Sequence, residues 1–357
     1  MTQPRTILDL TPTRAAATIE EWVRVSRLAS YRAEQITARL WTRPIGDWQE
    51  ATELPLALRE KLAEAFPLPR LIAEIVQTSS DGTRKYLWGL PDGEKIESVL
   101  IPTASRRTLC ISSQAGCALG CVFCATGLMG FRRNLEPWEI VAQVREVIMR
   151  NPDDAPTNIV FMGMGEPLLN WPALDIALTT LNHPEGLGIG ARHITVSTVG
   201  IVPGMLALAA RPEQFRLAIS LHSPHADERQ ALMPIDKKYG VKEVIEAAEA
   251  FKKRITFEYV MIADRNDRDR DADALIALAR RLRAHVNLLP LHPGGDPSLV
   301  PTAPARIREF RQLLANAGVE AVVRRSRGLD IDAACGQLHV RMAAKTRRSL
   351  ETVTPEG

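Results

Sequence analysis

The chain has 357 residues, 45% hydrophobic and 24% charged, which lies in the ordinary globular band and excludes intrinsic disorder and fibrous repeats. At roughly 150 residues per domain, this length predicts about two domains. No apolar run approaches the ~18–20 residues of a membrane helix, so no membrane partner is expected. The opening Met1-Thr2-Gln3-Pro4-Arg5 carries no continuous apolar stretch behind its charge, which argues against a secretory leader and makes the cytoplasm the default. A balance of 45 basic and 42 acidic residues gives +3, too little for a general attraction to polyanions. Only nine of the basic residues are Lys; the rest are Arg, the side chain suited to forked phosphate contacts. Between Arg324 and Arg348 stand seven basic and two acidic residues. Such a segment has the charge of a nucleic-acid footprint, although a solvated helix face has the same composition.

In chain order, stretches 15–28, 32–40 and 56–65 place apolar residues at three- and four-residue steps, predicting a helical domain over residues 1–78. Residues 85–90 and 95–101 flank Pro91-Asp92-Gly93 and predict a hairpin, within a linker at 79–102. From about residue 103, short β-branched runs at 108–112, 158–162, 193–197, 215–220, 256–262 and 286–289 alternate with helical stretches. The helical stretches include 136–149, 173–181, 241–251 and 272–283. This alternation predicts α/β architecture with right-handed crossovers, a parallel sheet and possible closure into a barrel. Ligands in such folds bind at the C-terminal ends of strands. The charged run at 264–273 reads as an exposed loop with helix-capping aspartates, because its alternating arginines compete with any cation for the carboxylates.

Five cysteines are present, Cys110, Cys117, Cys121, Cys124 and Cys335. An odd number in a chain this long argues against a disulfide scaffold. Cys117-Ala118-Leu119-Gly120-Cys121-Val122-Phe123-Cys124 supplies three thiolates from one loop after the first strand of the alternating region. A structural zinc site draws four ligands from separate turns. Three thiolates on one loop suit a [4Fe-4S] cluster with one exchangeable iron, and Gly116 and Gly120 allow the loop to bend around it. The C-x3-C-x2-C spacing with Phe123 resembles the signature of the radical S-adenosylmethionine superfamily. The resemblance implies a partial (β/α)6 barrel over residues 103–329 and S-adenosylmethionine on the open iron. Phe161-Met162-Gly163-Met164-Gly165-Glu166-Pro167 resembles the superfamily's Gly-Glu-Pro turn, placing Gly165 and Glu166 at the cofactor. Ser197 and the run Ser220-Leu221-His222 follow the next strands. Alone, the two serines read as helix caps more often than as ligands; their position after strands points them to the cofactor.

Two longer motifs narrow the family. Leu109-Cys110-Ile111-Ser112-Ser113-Gln114-Ala115-Gly116-Cys117 and Arg327-Gly328-Leu329-Asp330-Ile331-Asp332-Ala333-Ala334-Cys335-Gly336-Gln337 resemble the RlmN and Cfr family of RNA adenosine methyltransferases. Gly130-Phe131-Arg132-Arg133-Asn134-Leu135 and Tyr31-Arg32-Ala33-Glu34-Gln35-Ile36 fit as well. The resemblance implies that residues 1–78 bind RNA and that 330–357 form a basic tail carrying the methyl-accepting cysteine. It also implies two molecules of S-adenosylmethionine per turnover. One methylates Cys335, and the radical made from the second takes a hydrogen from the S-methyl group. The methylene then adds to adenine, Glu97 removes the ring proton, and Cys110 attacks the Cys335 sulfur to leave a transient disulfide. A Cys335 thiolate must accept the first methyl, so a pKa lowered by Arg side chains is expected. One departure is His292, which stands where the family has an Asn that binds the cofactor; Asn287 reads as a structural strand residue.

The implied substrates are carbon 2 of an adenosine in 23S rRNA and, in addition, the adenosine following the tRNA anticodon. The implied helpers are an electron donor such as flavodoxin or ferredoxin and a thiol reductant, and a monomer is the default. Two alternatives stay open on sequence alone. One is Cfr-type methylation at carbon 8, and the other is a non-catalytic RNA-binding assembly factor with a structural metal site.

Overall fold

The computed structural model describes residues 6–338. Twelve strands occur among them: β1 (Ile72–Thr78), β2 (Arg84–Gly89), β3 (Lys95–Pro102), β4 (Arg107–Cys110), β5 (Gln114–Gly116), β6 (Phe131–Asn134), β7 (Asn158–Phe161), β8 (Ile194–Thr198), β9 (Arg216–Ser220), β10 (Thr256–Met261), β11 (His285–Pro290) and β12 (Ala321–Val323). The helices are α1 (Pro12–Val25), α2 (Tyr31–Ala38), α3 (Leu56–Ala65), α4 (Ala125–Leu128), α5 (Pro137–Arg150), α6 (Trp171–Asn182), α7 (Val202–Ala209), α8 (Ala226–Leu232), α9 (Val241–Ala248), α10 (Asp269–Leu282) and α11 (Pro304–Asn316).

All six strands expected from the alternating runs form. They join one ten-stranded sheet in the order β1-β2-β3-β4-β7-β8-β9-β10-β11-β12. From β4 onward every neighbour pairs in parallel, whereas β1 to β4 pair antiparallel. The hairpin of β2 and β3 is therefore continuous with the main sheet. Helices between parallel strands cover the sheet, and strands such as β10 are buried over nearly their whole length. Among the described residues the sheet ends at β1 and β12 and does not close on itself, so its parallel part is an open, partial barrel.

Three differences from the sequence expectation stand out. Strand β1 occupies residues that the helical reading claimed; it is a half-exposed edge strand whose apolar positions resemble one face of a helix. Strand β12 has only three residues and adds a seventh parallel strand to the six. The run at 264–273 is less exposed than expected. Asp271 is fully buried and accepts from the Arg268 N–H at 2.9 Å, while Asp267 accepts from the Thr302 hydroxyl at 2.9 Å. Of its aspartates Asp271 does cap α10, through the Arg268 N–H, and among the described residues none joins a metal-holding group.

The helical N-terminal part is held to the sheet by buried polar contacts. Helix α1 starts with Pro12 and buries Pro12, Ala15, Ile19 and Val23, one stripe of its surface. From α5, the fully buried Arg145 donates to the carbonyls of Leu40 (2.8 Å) and Ile45 (3.0 Å). Arg70 pairs with buried Glu146 at 2.8 Å. Among the described residues no helix is long and apolar enough to cross a membrane.

Candidate active site

At the C-terminal ends of the parallel strands lies a cavity that opens to solvent, the place where ligands bind in such folds. Most of its wall is strand ends and the loops that follow them. Strand β7 supplies Phe161, with Met162 just after it, β8 Ser197, β9 Ser220, β10 Glu258 and β11 Leu289 and Pro290. The cysteine loop contributes Cys117, Cys121 and Cys124, and the tail loop contributes Cys335.

Local structure explains how the cysteine loop is held. Strand β5 pairs with β6, which contains Phe131-Arg132-Arg133-Asn134, and the Cys117 N–H donates to the Gly130 carbonyl at 3.0 Å. Gly116 has φ +72°, and a Cβ there would lie 2.0 Å from the Gly130 oxygen, so only glycine allows this approach. Gly120 also lies in the left-handed region at φ +62°. The Phe123 ring meets His222 edge-on, with centroids 4.5 Å apart.

The three loop thiols are free and share the cavity wall. Burial pushes the Cys117 thiol up to about 12 and raises Cys121 as well, and neighbouring thiolates add to both shifts. Among the described residues no three His, Cys, Asp or Glu side chains already stand at metal-holding geometry. Three mutually repelling thiolates with little water to solvate them need a cationic centre to be charged together. That donor set fits an iron–sulfur cluster.

The Gly-Glu-Pro turn opens on the same cavity. Glu166 is buried; its carboxylate accepts from the N–H groups of Leu168 (3.0 Å) and Val199 (2.9 Å), and burial pushes its pKa up to about 7. Its own N–H donates to Gln114 at 2.8 Å. Ser197, Ser220, His222 and His292 all line the cavity. His222 sits at φ +54° and accepts the Val260 N–H on Nδ1 at 3.0 Å. Burial, with Arg229 nearby, lowers its pKa to about 3, so the ring is neutral and carries its proton on Nε2. His292 Nε2 lies 2.5 Å from the Ser326 hydroxyl, and burial lowers its pKa. Leu221 does not line the cavity: its side chain is fully buried in the core, and its carbonyl accepts from Arg229 at 3.1 Å.

Glu97 and Cys110 stand beside the cavity, outside its lining. Cys110 is buried at the end of β4, and burial, with added repulsion from Cys335, raises its pKa. Glu97 on β3 is buried and lies 3.4 Å from Lys85 Nζ. Cys335 lies on the cavity rim as an exposed residue, with protein packed around its sulfur. The expected lowering of its pKa is not found. Burial and the Glu258 carboxylate push the thiol up to about 11, and Arg324 only partly offsets them.

The loop carrying Cys335 is pinned at both ends. Upstream, Ser79 and the Ser80 N–H donate to Asp330 (2.5 and 3.1 Å), and the Gly328 N–H donates to Asp81 (3.2 Å). Downstream, the Gly336 carbonyl accepts from the Ala125 N–H (2.8 Å) and the Leu338 carbonyl from Thr126 (2.6 Å), both beside the cluster loop. The remainder of the basic tail, including Arg341, Lys345, Arg347 and Arg348, lies outside the described residues.

Sequence reasoning missed Glu258. It is buried in the cavity wall, accepts from Asn287 at 2.8 Å and has its pKa raised by burial. Register puts Ser220, Glu258 and Asn287 side by side on adjacent strands. A carboxylate inside the apolar run of β10 was the available signal.

A parallel α/β sheet opening on three thiols of one loop defines a radical S-adenosylmethionine enzyme, and the Radical SAM superfamily pattern matches residues 111–279. A probable dual-specificity RNA methyltransferase RlmN from Gemmatimonas aurantiaca is 55% identical, covering 93% of this chain and 92% of that protein. The dual-specificity RNA methyltransferase RlmN of Anaeromyxobacter dehalogenans is 45% identical, covering 86% of both. The crystal structure of a radical SAM methyltransferase from Sphaerobacter thermophilus superimposes with a TM-score of 0.87 at 42% identity, covering 94% of this chain and 99% of that one. The chain belongs to the RlmN family of radical S-adenosylmethionine methyltransferases.

Proposed function

We propose that this enzyme methylates carbon 2 of an adenosine in 23S rRNA, and of the adenosine following the anticodon in tRNA. The RlmN relatives, named as dual-specificity RNA methyltransferases, support an RNA substrate and carbon 2 over the Cfr-type carbon 8. The observation that carries the reading is one cavity with Cys335 on its rim, three cluster thiols in its wall and Cys110 close behind. An RNA-binding factor with a structural metal site has no use for that convergence.

Adenine carbon 2 is electron-poor and lacks a nucleophilic lone pair, so transfer of a methyl cation to it fails and a radical route is required. When bound, the cluster with S-adenosylmethionine supplies the methyl group and the hydrogen-abstracting radical. Cys117, Cys121 and Cys124 would hold the cluster through three thiolates. Gly165, Glu166, Ser197, Ser220, His222 and His292 would hold S-adenosylmethionine. Cys335 carries the methyl group, Glu97 accepts the proton from the adenine carbon, and Cys110 resolves the covalent linkage by a transient disulfide. The protein works as a cytoplasmic monomer, helped by a flavodoxin- or ferredoxin-type electron donor and a thiol reductant that reopens the disulfide. Residues 1–78 and the basic tail contribute RNA binding.

The test is Cys335→Ala in a host lacking its own enzyme. Nucleoside mass spectrometry should find 2-methyladenosine with the wild-type chain and none with the variant. Its persistence with the variant would remove Cys335 from its role, and 8-methyladenosine from the wild type would reassign the carbon. Anaerobically purified protein should be brown and rich in iron; a colourless zinc protein would favour the metal-stabilised factor.

A further inference from the structure

One buried cation beside the cavity has no role in the scheme above. Lys85 on β2 is 7% exposed, and an ammonium so placed needs partners to offset its desolvation. Its Nζ lies 3.4 Å from Glu97 Oε1 and donates to the Asp332 carbonyl at 3.3 Å. Strand register explains the meeting. Lys85 stands opposite Val99, and Val99 opposite Cys110. Glu97 lies two residues from Val99, so Lys85, Glu97 and Cys110 share one face of the sheet. Asp332 is three residues before Cys335, so the same ammonium touches the Glu97 carboxylate and the loop that presents Cys335.

We propose that Lys85 is a positioning residue for methyl transfer, fixing the Glu97 carboxylate while holding the Cys335 loop in register with it. The inference rests on Glu97 as proton acceptor and Cys335 as methyl carrier. In the step served, once the unpaired electron left by radical addition has passed to a one-electron acceptor, the adenine C–H bond breaks, its proton forms an O–H bond on Glu97, and its electron pair returns to the ring. A carboxylate on one strand and a sulfur on a distant loop must meet the same carbon within a fraction of an ångström, and a displacement of about 1 Å costs on the order of a hundredfold. Lys85 spans the two.

The experiment uses full-length, cluster-loaded protein and a stem-loop transcript of the 23S target, with Lys85→Met, Lys85→Gln and Lys85→Arg. Intact-protein mass spectrometry reads S-methylation of Cys335, denaturing gels read the covalent protein–RNA conjugate, and nucleoside analysis reads the methylated product. Lys85→Met should keep Cys335 S-methylation, accumulate the conjugate and lower kcat by about 10- to 100-fold, below the ~10²–10⁴ of losing a general base outright. KM for the RNA should stay within about twofold. Lys85→Gln, which keeps a donor for Asp332 without the charge for Glu97, should also accumulate conjugate, and Lys85→Arg should restore most of the rate. Wild-type turnover in Lys85→Met and Lys85→Gln would overturn the proposal, as would losses of S-methylation and product in parallel with lowered melting temperature in all three. A wild-type protein without S-methyl-Cys335 would remove the underlying reading and this inference with it.

Discussion

Burial sets the titration of the groups around the cavity, and it moves acids and bases in opposite directions. Cys335 is pushed to about 11 by burial first and Glu258 second. Removing the Glu258 charge therefore favours the thiolate. Glu258→Gln should speed iodoacetamide labelling of Cys335 at pH 8 by roughly three- to tenfold; an unchanged rate would show that Glu258 does not act on the sulfur. Glu166 gives a second test, through stability. Its folded pKa of about 7 lies above the ordinary 4.5, so its stabilising protonation is complete below pH 4.5 and is lost as pH rises through 7. Urea unfolding of the cluster-free protein should show this fall, on the order of 3 kcal/mol for a shift of this size. Glu166→Gln turns an amide donor toward one of the two N–H groups, so it should cost about 1–3 kcal/mol throughout and lack that slope.

Among the elements, α8 shows how a short helix can hold up a site. Arg229 on α8 is fully buried; it donates to the carbonyls of Leu221 after β9 and Val199 after β8, and pairs with Asp236. One guanidinium thus ties together the loops that follow two cavity strands. Arg229→Met should destabilise the protein by about 3–5 kcal/mol, because Asp236 is left as an uncompensated buried charge, and thermal melting would register the loss. The regular elements were legible because period carries the signal: α5 and α10 announce themselves by apolar spacing, and β7 to β11 by short β-branched runs. Strand β1 was not, since a half-exposed edge strand lacks a clean alternation. Helix α8, with seven residues, is too short to show a period.

For the whole molecule, the decisive arrangement is the tail loop laid between the β1–β2 turn and the cysteine loop. Asp81 holds the near end, accepting from the N–H groups of Gly328 (3.2 Å) and Thr83 (3.0 Å). Asp81→Ala should loosen the loop without entering the cavity. Hydrogen exchange in 328–337 should rise by about tenfold or more, with the strands β7 to β11 unchanged. Protection equal to wild type would show that the downstream contacts at Ala125 and Thr126 hold the loop by themselves.

The sequence alone determined the chemistry on offer: three thiolates on one glycine-bent loop, a Gly-Glu-Pro turn, two further cysteines and an alternating α/β body. These are local, because ligand spacing and turn residues are written in adjacent positions. Tertiary structure decided which groups meet. It set Leu221 in the core and Glu258 in the wall, and it raised the Cys335 pKa where neighbouring arginines had predicted lowering. It also brought Lys85, Glu97 and Cys110 onto one sheet face beneath a loop some 240 residues away in sequence from β2. Burial and cross-strand register are properties of the folded chain, and no spacing along the sequence encodes them.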